Sequence, residues 1–430
     1  MQNKILMIVN AFPPSGESGV QRPVKFVKYL VRNGWEAYIV TPKKAVLCKN
    51  RDVTLEQDVP VEAKIFKTHS LGIRDDNLTE VRLDLSSAST SVKKLIWKVI
   101  KPFNDLFFPI DKQIGWVPFA LFTSIKIIKQ YKIRNIYITA SPYSAFWVGV
   151  ILKKIYGTKI FWVADYRDAW QFGPMLDELV LPFRKKYIVK MDEKFLKKAD
   201  HVIFTSPLVL AEYQTKYPWL TGKADFITNG YDDDDFKGLQ AKQFNKFTFV
   251  FMGKLQNNRG TPVPWLKVIK SFMQIDFQYV HVGIIDTDFL RQIKEEGLDF
   301  YQFIGYKTHL EALTYAAGAE INVIALNDDP DSIGVIPGKI FELIRLGKPI
   351  LAIGPDNSAI KDIIVSTGTG IYAIINNEAS IRQALHQLLI EKDKLHPSAE
   401  EIGQYSRQAC TDKLEEIYQV KRQKNETECV

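Results

Sequence analysis

Short apolar runs rich in Val, Ile, Phe and Tyr alternate with helical stretches along nearly the whole chain, and this alternation limits the fold more than any other feature. In the first half the runs are Lys4–Asn10, Glu36–Thr41, Ala63–Thr68, Asn135–Thr139, Lys159–Ala164, His201–Thr205 and Ala224–Thr228. Several are apolar almost throughout, as parallel strands covered on both faces must be. The second half repeats the pattern in Phe247–Met252, Phe277–Val282, Phe300–Ile304, Ile321–Ala325, Pro349–Ile353 and Gly370–Ile374. Between the first two runs, Val24, Val27, Tyr29, Leu30 and Val31 mark one face of a helix over Val20–Asn33, with Gly34 as its stop. Lys339–Leu346 reads as a helix closed by Gly347.

Two such series predict two doubly wound α/β domains, and 430 residues suffice for two separate cores. Asn-Gly, four Asp and a polar stretch interrupt the periodicity at Asn229–Asn245. This places a first domain at 1–230, a linker at 231–245 and a second domain at 246–404. The last segment, Glu400–Lys424, reads as helical with Ile402, Tyr405, Leu414, Ile417 and Tyr418 as its apolar points, and a helix near 405–424 is expected to complete the first domain.

Charge divides unevenly between the halves. Residues 1–230 hold 35 Lys+Arg against 21 Asp+Glu, a net of +14, whereas the remainder holds 22 against 28, a net of −6. A basic half beside an acidic half points to an anionic partner: nucleic acid, anionic lipid or a phosphorylated substrate. Nucleic acid drops out, because no nucleic-acid module is recognisable and the aromatics follow core periodicity. With 46% hydrophobic and 25% charged residues, the composition excludes disorder, collagen and coiled coil. No run approaches about 18 consecutive apolar residues, so no spanning helix is expected. Cys48, Cys410 and Cys429 are too scattered for a disulfide framework or zinc site. Met1–Pro13 reads as a first strand rather than a signal peptide, and the expected compartment is a reducing cytoplasm.

Residues 70–115 resist the α/β pattern. Asp75–Ser91 reads as a loop. Over Val92–Lys101, Val92, Leu95, Ile96, Val99 and Ile100 form one helical face, Lys93, Lys94, Lys98 and Lys101 the other, and Trp97 the border. The pattern suits a helix lying in a membrane interface, and equally a surface helix packed on its domain. The aromatic run Phe103–Phe108 and the Lys-rich stretch 126–134 favour the membrane.

Chemistry gathers at the ends of the apolar runs. Pro13-Pro14-Ser15-Gly16-Glu17-Ser18-Gly19 joins the first strand to its helix, where backbone N–H groups and the helix dipole can meet an anion. Alone it also fits a tight turn. Asp165-Tyr166-Arg167-Asp168-Ala169-Trp170 brings two carboxylates around an Arg to a strand end, either as site residues or as a structural Asp–Arg pair with a Trp lid. In the second half, Gly253-Lys254-Leu255 and then Arg259-Gly260 offer two cations to a diphosphate, or two solvated surface charges. Ile336-Pro337-Gly338-Lys339 opens a helix carrying Glu342, whose carboxylate can accept from a ribose diol, and Gly347-Lys348-Pro349 follows.

The order of these motifs, ending in P-G-K-I-F-E-L-I-R-L-G-K-P-I-L, resembles glycosyltransferase family 4 over roughly residues 4 to 420. That resemblance implies the GT-B fold: two Rossmann-like domains facing across a cleft, a C-terminal helix crossing back to the first, and retaining transfer from a nucleotide sugar. It implies that Lys254 and Arg259 clamp the donor diphosphate beside Gly253, that Glu342 holds the ribose, and that the Gly338-Lys339 backbone caps the diphosphate. Arg167 and Asp168 would face the acceptor or anomeric centre. Gly16, Gly19 and Arg22, with Asp165 and Ser141 at neighbouring strand ends, would line the acceptor and diphosphate side. The acceptor implied is a glycan or a lipid-linked intermediate, as in surface polysaccharide assembly; the +14 of residues 1–230 and the Val92–Phe108 pattern add an anionic membrane surface, at the inner face of the cytoplasmic membrane, as an expected partner.

Two positions depart from the family pattern. Many members carry a second Glu eight positions before the one matching Glu342, where this chain has Gly334. Many also place a His near the reacting sugar, where this chain reads Thr139-Ala140-Ser141-Pro142. No metal or other cofactor is expected. Asp232–Asp235 includes a D-x-D pattern but follows Asn229-Gly230 in the linker, and GT-B enzymes generally need no divalent ion. The histidines at 69, 201, 281, 309, 386 and 396 form no ligand-spaced cluster, and His201 and His281 read as structural. Rival readings are a nucleotide-sugar epimerase of the UDP-GlcNAc 2-epimerase type and a non-catalytic module that binds sugar nucleotides.

Overall fold

Seven parallel strands form the first sheet: β1 (Lys4–Ile8), β2 (Glu36–Pro42), β3 (Lys64–Thr68), β4 (Asn135–Ala140), β5 (Phe161–Tyr166), β6 (His201–Phe204) and β7 (Ala224–Phe226). A computed structural model describes residues 3–16, 18–43, 54–71, 110–172, 176, 182–255, 262–329, 332–391 and 395–421. The spatial order β3-β2-β1-β4-β5-β6-β7 is doubly wound, with the chain reversing direction between β1 and β4. Helices α1 (Ser18–Arg32), α2 (Val117–Tyr131), α3 (Phe146–Tyr156), α4 (Pro182–Lys198) and α5 (Pro207–Lys216) connect the strands.

Strand alternation sorts side chains between the two faces. Leu6, Ile8, Ile136, Ile138, Trp162 and Ala164 pack with Ala120 and Ile127 of α2, Phe146 of α3 and Phe195 of α4. On the other face, Tyr137 meets Phe26 of α1 edge-on at 5.8 Å. A second sheet contains β8 (Phe247–Leu255), β9 (Phe277–Ile285), β10 (Tyr301–Gly305), β11 (Ile321–Ala325), β12 (Ile350–Gly354) and β13 (Gly370–Ile374). Its order β10-β9-β8-β11-β12-β13 repeats the first, with the reversal between β8 and β11. Helices α6 (Val263–Phe272), α7 (Thr287–Glu295), α8 (His309–Gly318), α9 (Lys339–Leu346), α10 (Ala359–Thr367) and α11 (Glu378–Ile390) complete it. Each face has its own apolar core: Phe249, Phe251 and Val323 with α6 and α11, and Val250, Met252 and Ile324 with α9 and α10.

The chain therefore consists of two Rossmann-like α/β units. The first comprises Met1–Thr205, Val209–Ile227 and Thr411–Val430, and the second Ser206–Leu208 and Thr228–Cys410. The C-terminal segment returns to the first unit, where Tyr418 donates to Ile136 O at 2.9 Å and packs against Trp35.

The terminal stretch is helical as α12 (Ala399–Gly403), α13 (Arg407–Glu416) and a π-turn at Ile417–Lys421, with a break before Arg407. Tyr231 interrupts it by donating its N–H to Tyr405 O at 3.1 Å and accepting from Arg407 N at 2.7 Å, a bridge that no continuous helix permits. Asp232 caps the 3-10 turn Asp233–Phe236 by accepting from Asp234 N, and Asp233 pairs with Arg345 at 2.7 Å. The candidate interface helix at 92–101 and the aromatic run at 103–108 lie outside the described residues. Among the described residues, no helix is long and apolar enough to cross a membrane.

Candidate active site

In open α/β sheets, ligands collect at the carboxyl ends of the strands where the winding reverses. In the first unit this point lies between β1 and β4, and Arg167 organises it. Its guanidinium donates to three backbone carbonyls: Nε to Ala140 O at 2.8 Å, Nη1 to Gly19 O at 2.7 Å and Nη2 to Ser141 O at 2.5 Å. Thr205 anchors the turn by donating to Arg167 O at 2.8 Å. The fork geometry of guanidinium suits three acceptors on two segments, here α1 and the junction of β4 with the loop after it. Gly19 is glycine for the same reason, since a Cβ there would lie 1.7 Å from Nη1.

Asp165 does not pair with its neighbour Arg167. It is fully buried and joined to Arg22, which donates Nε at 3.0 Å and Nη2 at 2.9 Å. Tyr137 donates its hydroxyl to Asp165 Oδ2 at 2.5 Å and Thr139 donates at 2.9 Å. Burial and the adjacent carboxylate push the Tyr137 phenol well up. Arg22 and Asp165 thus brace the site from inside the sheet. Asp168 alone of this turn's carboxylates is exposed, with no hydrogen bond or ion pair to its side chain among the described residues. Trp170 is no lid: it is buried, stacked on Tyr143 at 4.3 Å and on Phe195 at 6.0 Å.

Beneath this turn lies a polar network that the sequence did not reveal. Asp192 of α4 has no exposed surface, and it accepts from Tyr166 at 2.7 Å, Tyr213 at 2.8 Å and Gln171 Nε2 at 2.7 Å. Burial raises its pKa to about 6. Asp111, pushed up by burial, fixes the loop after β4 by accepting from Ser144 N at 2.8 Å and Ser144 Oγ at 2.6 Å. The Asn10 amide nitrogen, at the end of β1, is buried with no partner among the described residues.

In the second unit the reversal lies between β8 and β11. Gly253, near the end of β8, has φ +138°, a value that side-chain-bearing residues avoid. Lys339, at the start of α9, reaches back to donate its ammonium to Met252 O at 2.5 Å and stands 3.9 Å over the Phe251 ring. His281 supports the same strand end, with Nε2 2.9 Å from Gly253 O and Nδ1 2.6 Å from the Tyr301 hydroxyl. Burial lowers its pKa to about 4, so the ring is neutral at pH 7. Gly253 O can only accept, so Nε2 carries the proton and Nδ1 accepts from Tyr301.

Glu342, one turn into α9, pairs through Oε1 with His309 Nε2 at 2.7 Å. Its Oε2 accepts nothing among the described residues. Thr308 and Glu311 hold His309 at the start of α8 through a capping box. Lys254 is exposed and unpaired among the described residues, and Gly338 is exposed at the cap of α9. Gly253, Lys254, Gly338, Lys339 and Glu342 thus all lie on the elements that meet at one strand-end reversal. Arg259 lies outside the described residues. Gly16 and Ser141 sit on the first-unit loops at the other reversal, Gly16 half-buried and Ser141 bound through its carbonyl to Arg167. His309 escaped the sequence reading because 33 residues separate it from Glu342.

No curated protein matches the chain. Solved structures of the GT-B fold match over almost its whole length. A glycosyltransferase from Rickettsia africae aligns with TM-score 0.62 and 16% identity over 98% of each chain. Sucrose-phosphate synthase from Thermosynechococcus elongatus aligns with TM-score 0.61 and 14% identity, over 97% of this chain and 98% of that one. Anabaena HepE in complex with UDP aligns with TM-score 0.58 and 13% identity, over 96% and 98% respectively. At these identities the likeness establishes the fold. The sequence model described as Glycosyltransferase Family 4 matches residues 23–235, a span that contains the Arg167 turn, Asp165 and Asp192. Over these residues the chain is similar to glycosyltransferase family 4, and over its whole length it has the GT-B fold.

Proposed function

We propose that the chain transfers a hexosyl group, with retention and without a metal ion, from a nucleotide-diphosphate-sugar to a glycan or lipid-linked acceptor of bacterial surface polysaccharide assembly. The observation that carries this reading is the strand-end cluster of the second unit: Lys254 exposed, Lys339 beside Gly253, and Glu342 on His309. A diphosphate is held by charge-assisted hydrogen bonds from fixed cations, and a ribose diol by a carboxylate acceptor. HepE is described in complex with UDP and with UDP-glucose, which favours a uridine nucleotide for this chain too. In retaining transfer the leaving phosphate can take the acceptor proton. The protein then contributes chiefly by stabilising the negative charge that grows there, the role given to the two lysines. Asp168, exposed at the first unit's strand ends, is the carboxylate assigned to the acceptor side.

A thermal-shift screen against UDP-, GDP- and other nucleotide sugars finds the donor, and transfer to sugar acceptors then tests the reaction. Product with the donor's anomeric configuration is expected, and Asp168→Ala should lower kcat by roughly 100-fold or more. Conversion of the donor to an epimer without acceptor, or donor binding with no transfer, would sink the proposal. We also place the chain at the inner face of the cytoplasmic membrane, on the strength of the +14 over residues 1–230 and the Val92–Phe108 pattern. Flotation with phosphatidylglycerol vesicles should fail after replacement of Lys93, Lys94, Lys98 and Lys101 by Glu; undiminished flotation refutes this placement.

A further inference from the structure

Lysines of the first unit also converge far from the strand-end reversal. At the opposite edge of the seven-stranded sheet, where β5 and β6 begin, lies a groove of about 970 Å³. Its walls include the C-terminal ends of α3, with Lys153 and Lys154, and of α4, with Lys197 and Lys198. Lys194 and Lys223 line it too, and Asp200 is the one carboxylate among the lining residues.

That carboxylate is already engaged: Asp200 accepts from Lys153 at 2.7 Å and from Trp162 N at 2.7 Å. Lys197 pairs with Glu193 at 2.6 Å, and Lys223 donates to Lys197 O at 2.9 Å. Lys154 and Lys198 are exposed with no carboxylate partner among the described residues, and Lys194 rests 4.3 Å over the Trp147 ring. One or two last-turn lysines offset a helix dipole. Six around one groove also repel each other, and an anion with several charged oxygens relieves that repulsion. Partial burial already draws the Lys223 ammonium down from its ordinary pKa. The groove lies within the size range of small-molecule sites, and Trp147 and Phe161 give it an apolar wall.

We infer that this groove binds a phosphate-bearing anion at a site separated from the strand-end reversal by the length of the sheet, roughly 20 Å for six-residue strands. The phosphate belongs either to a soluble ligand or to a lipid headgroup. The inference is independent of the donor assignment.

Acetylation footprinting of the full chain, read lysine by lysine by mass spectrometry, tests it. The probe is inorganic pyrophosphate, compared with sodium chloride at matched ionic strength. Labelling of Lys154, Lys194 and Lys198 is expected to fall roughly tenfold at saturation, while Lys237 and Lys246 of the second unit change little. A second arm compares phosphatidylglycerol with phosphatidylcholine vesicles. Protection by anionic vesicles alone assigns the phosphate to lipid, and protection by pyrophosphate alone to a soluble ligand. The double variant Lys194→Glu/Lys198→Glu leaves the bonded Lys153 and Lys223 in place. It should abolish protection of Lys154 and weaken pyrophosphate binding at this groove roughly tenfold or more. Lys254 and Lys339 are read in the same spectra, so failure at the donor site is visible separately. Unchanged labelling of the three groove lysines by both probes, or equal protection of every surface lysine, overturns the inference.

Discussion

Replacing Gly19 by Ala sets a methyl group against the Arg167 guanidinium. The added Cβ would lie 1.7 Å from Nη1 and 2.7 Å from Cζ, so the guanidinium must move away. It then loses the hydrogen bond to Gly19 O and tilts out of those to Ala140 O and Ser141 O. Hydrogen bonds to a charged group contribute about 1.5–3 kcal/mol each. Arg167 is half-buried and regains water on moving, so the loss of one bond and part of two others amounts to about 2–4 kcal/mol. For a unit of this size that lowers Tm by about 4–16 °C. Helix propensity acts in the opposite direction, because Ala is favoured over Gly in a helix by up to about 1 kcal/mol. The assay is a double-mutant cycle, with thermal unfolding of wild type, Gly19→Ala, Arg167→Ala and the pair followed by circular dichroism. The three atoms nearest that methyl group all belong to the guanidinium, so Gly19→Ala should be neutral or slightly stabilising in the Arg167→Ala background. The expected coupling is roughly 2–4 kcal/mol. An equal cost in both backgrounds would refute the argument that Arg167 ties these loops together.

Three further outcomes follow from the buried and exposed charges. Asp192 has its pKa raised from 3.8 to about 6, so between these values the folded state holds more protons than the unfolded one. Stability should therefore fall by about 3 kcal/mol as pH rises from about 4 to about 6, then level off; subtracting the profile of Asp192→Asn from that of wild type isolates the effect, and a flat difference rejects it. Lys254→Ala should weaken UDP binding by roughly 10- to 100-fold in calorimetry without changing Tm, because the side chain is exposed and unpaired among the described residues. Lys339→Met should weaken binding comparably and also lower Tm, since it leaves Met252 O without its ammonium donor. Unchanged UDP affinity in both variants removes the diphosphate clamp.

The strands were legible because their causes are local. Ile5 to Ile8 and Val202 to Phe204 are continuous apolar runs, and only coverage on both faces accommodates such runs in parallel strands. The strand-end position of the Asp165 turn was legible for the same reason. The partner of Asp165 was not: alternation along β5 turns its carboxylate toward the face that α1 covers, so Arg22, 143 residues away, reaches it while Arg167 turns to carbonyls. Asp192 did leave a trace, as a charge one turn after Ile188 on an otherwise buried helical face. Its hydrogen-bond partners come from three separate segments, which no periodicity reports.

The terminal segment separates the two kinds of information most clearly. Its helical character, and the apolar role of Leu414, Ile417 and Tyr418, follow from residue spacing alone. The break before Arg407 is imposed by a backbone bridge to Tyr231, and the docking of Tyr418 by the carbonyl of Ile136. Sequence by itself determined the class of fold, the succession of strands and helices, and the residue types gathered at strand ends, because periodicity and glycine placement act over a few residues. Tertiary structure decided which charges brace the site and which face solvent. A buried ion or hydrogen-bonding group takes whatever partner the packing brings within about 3 Å, and that distance bears no relation to separation along the chain.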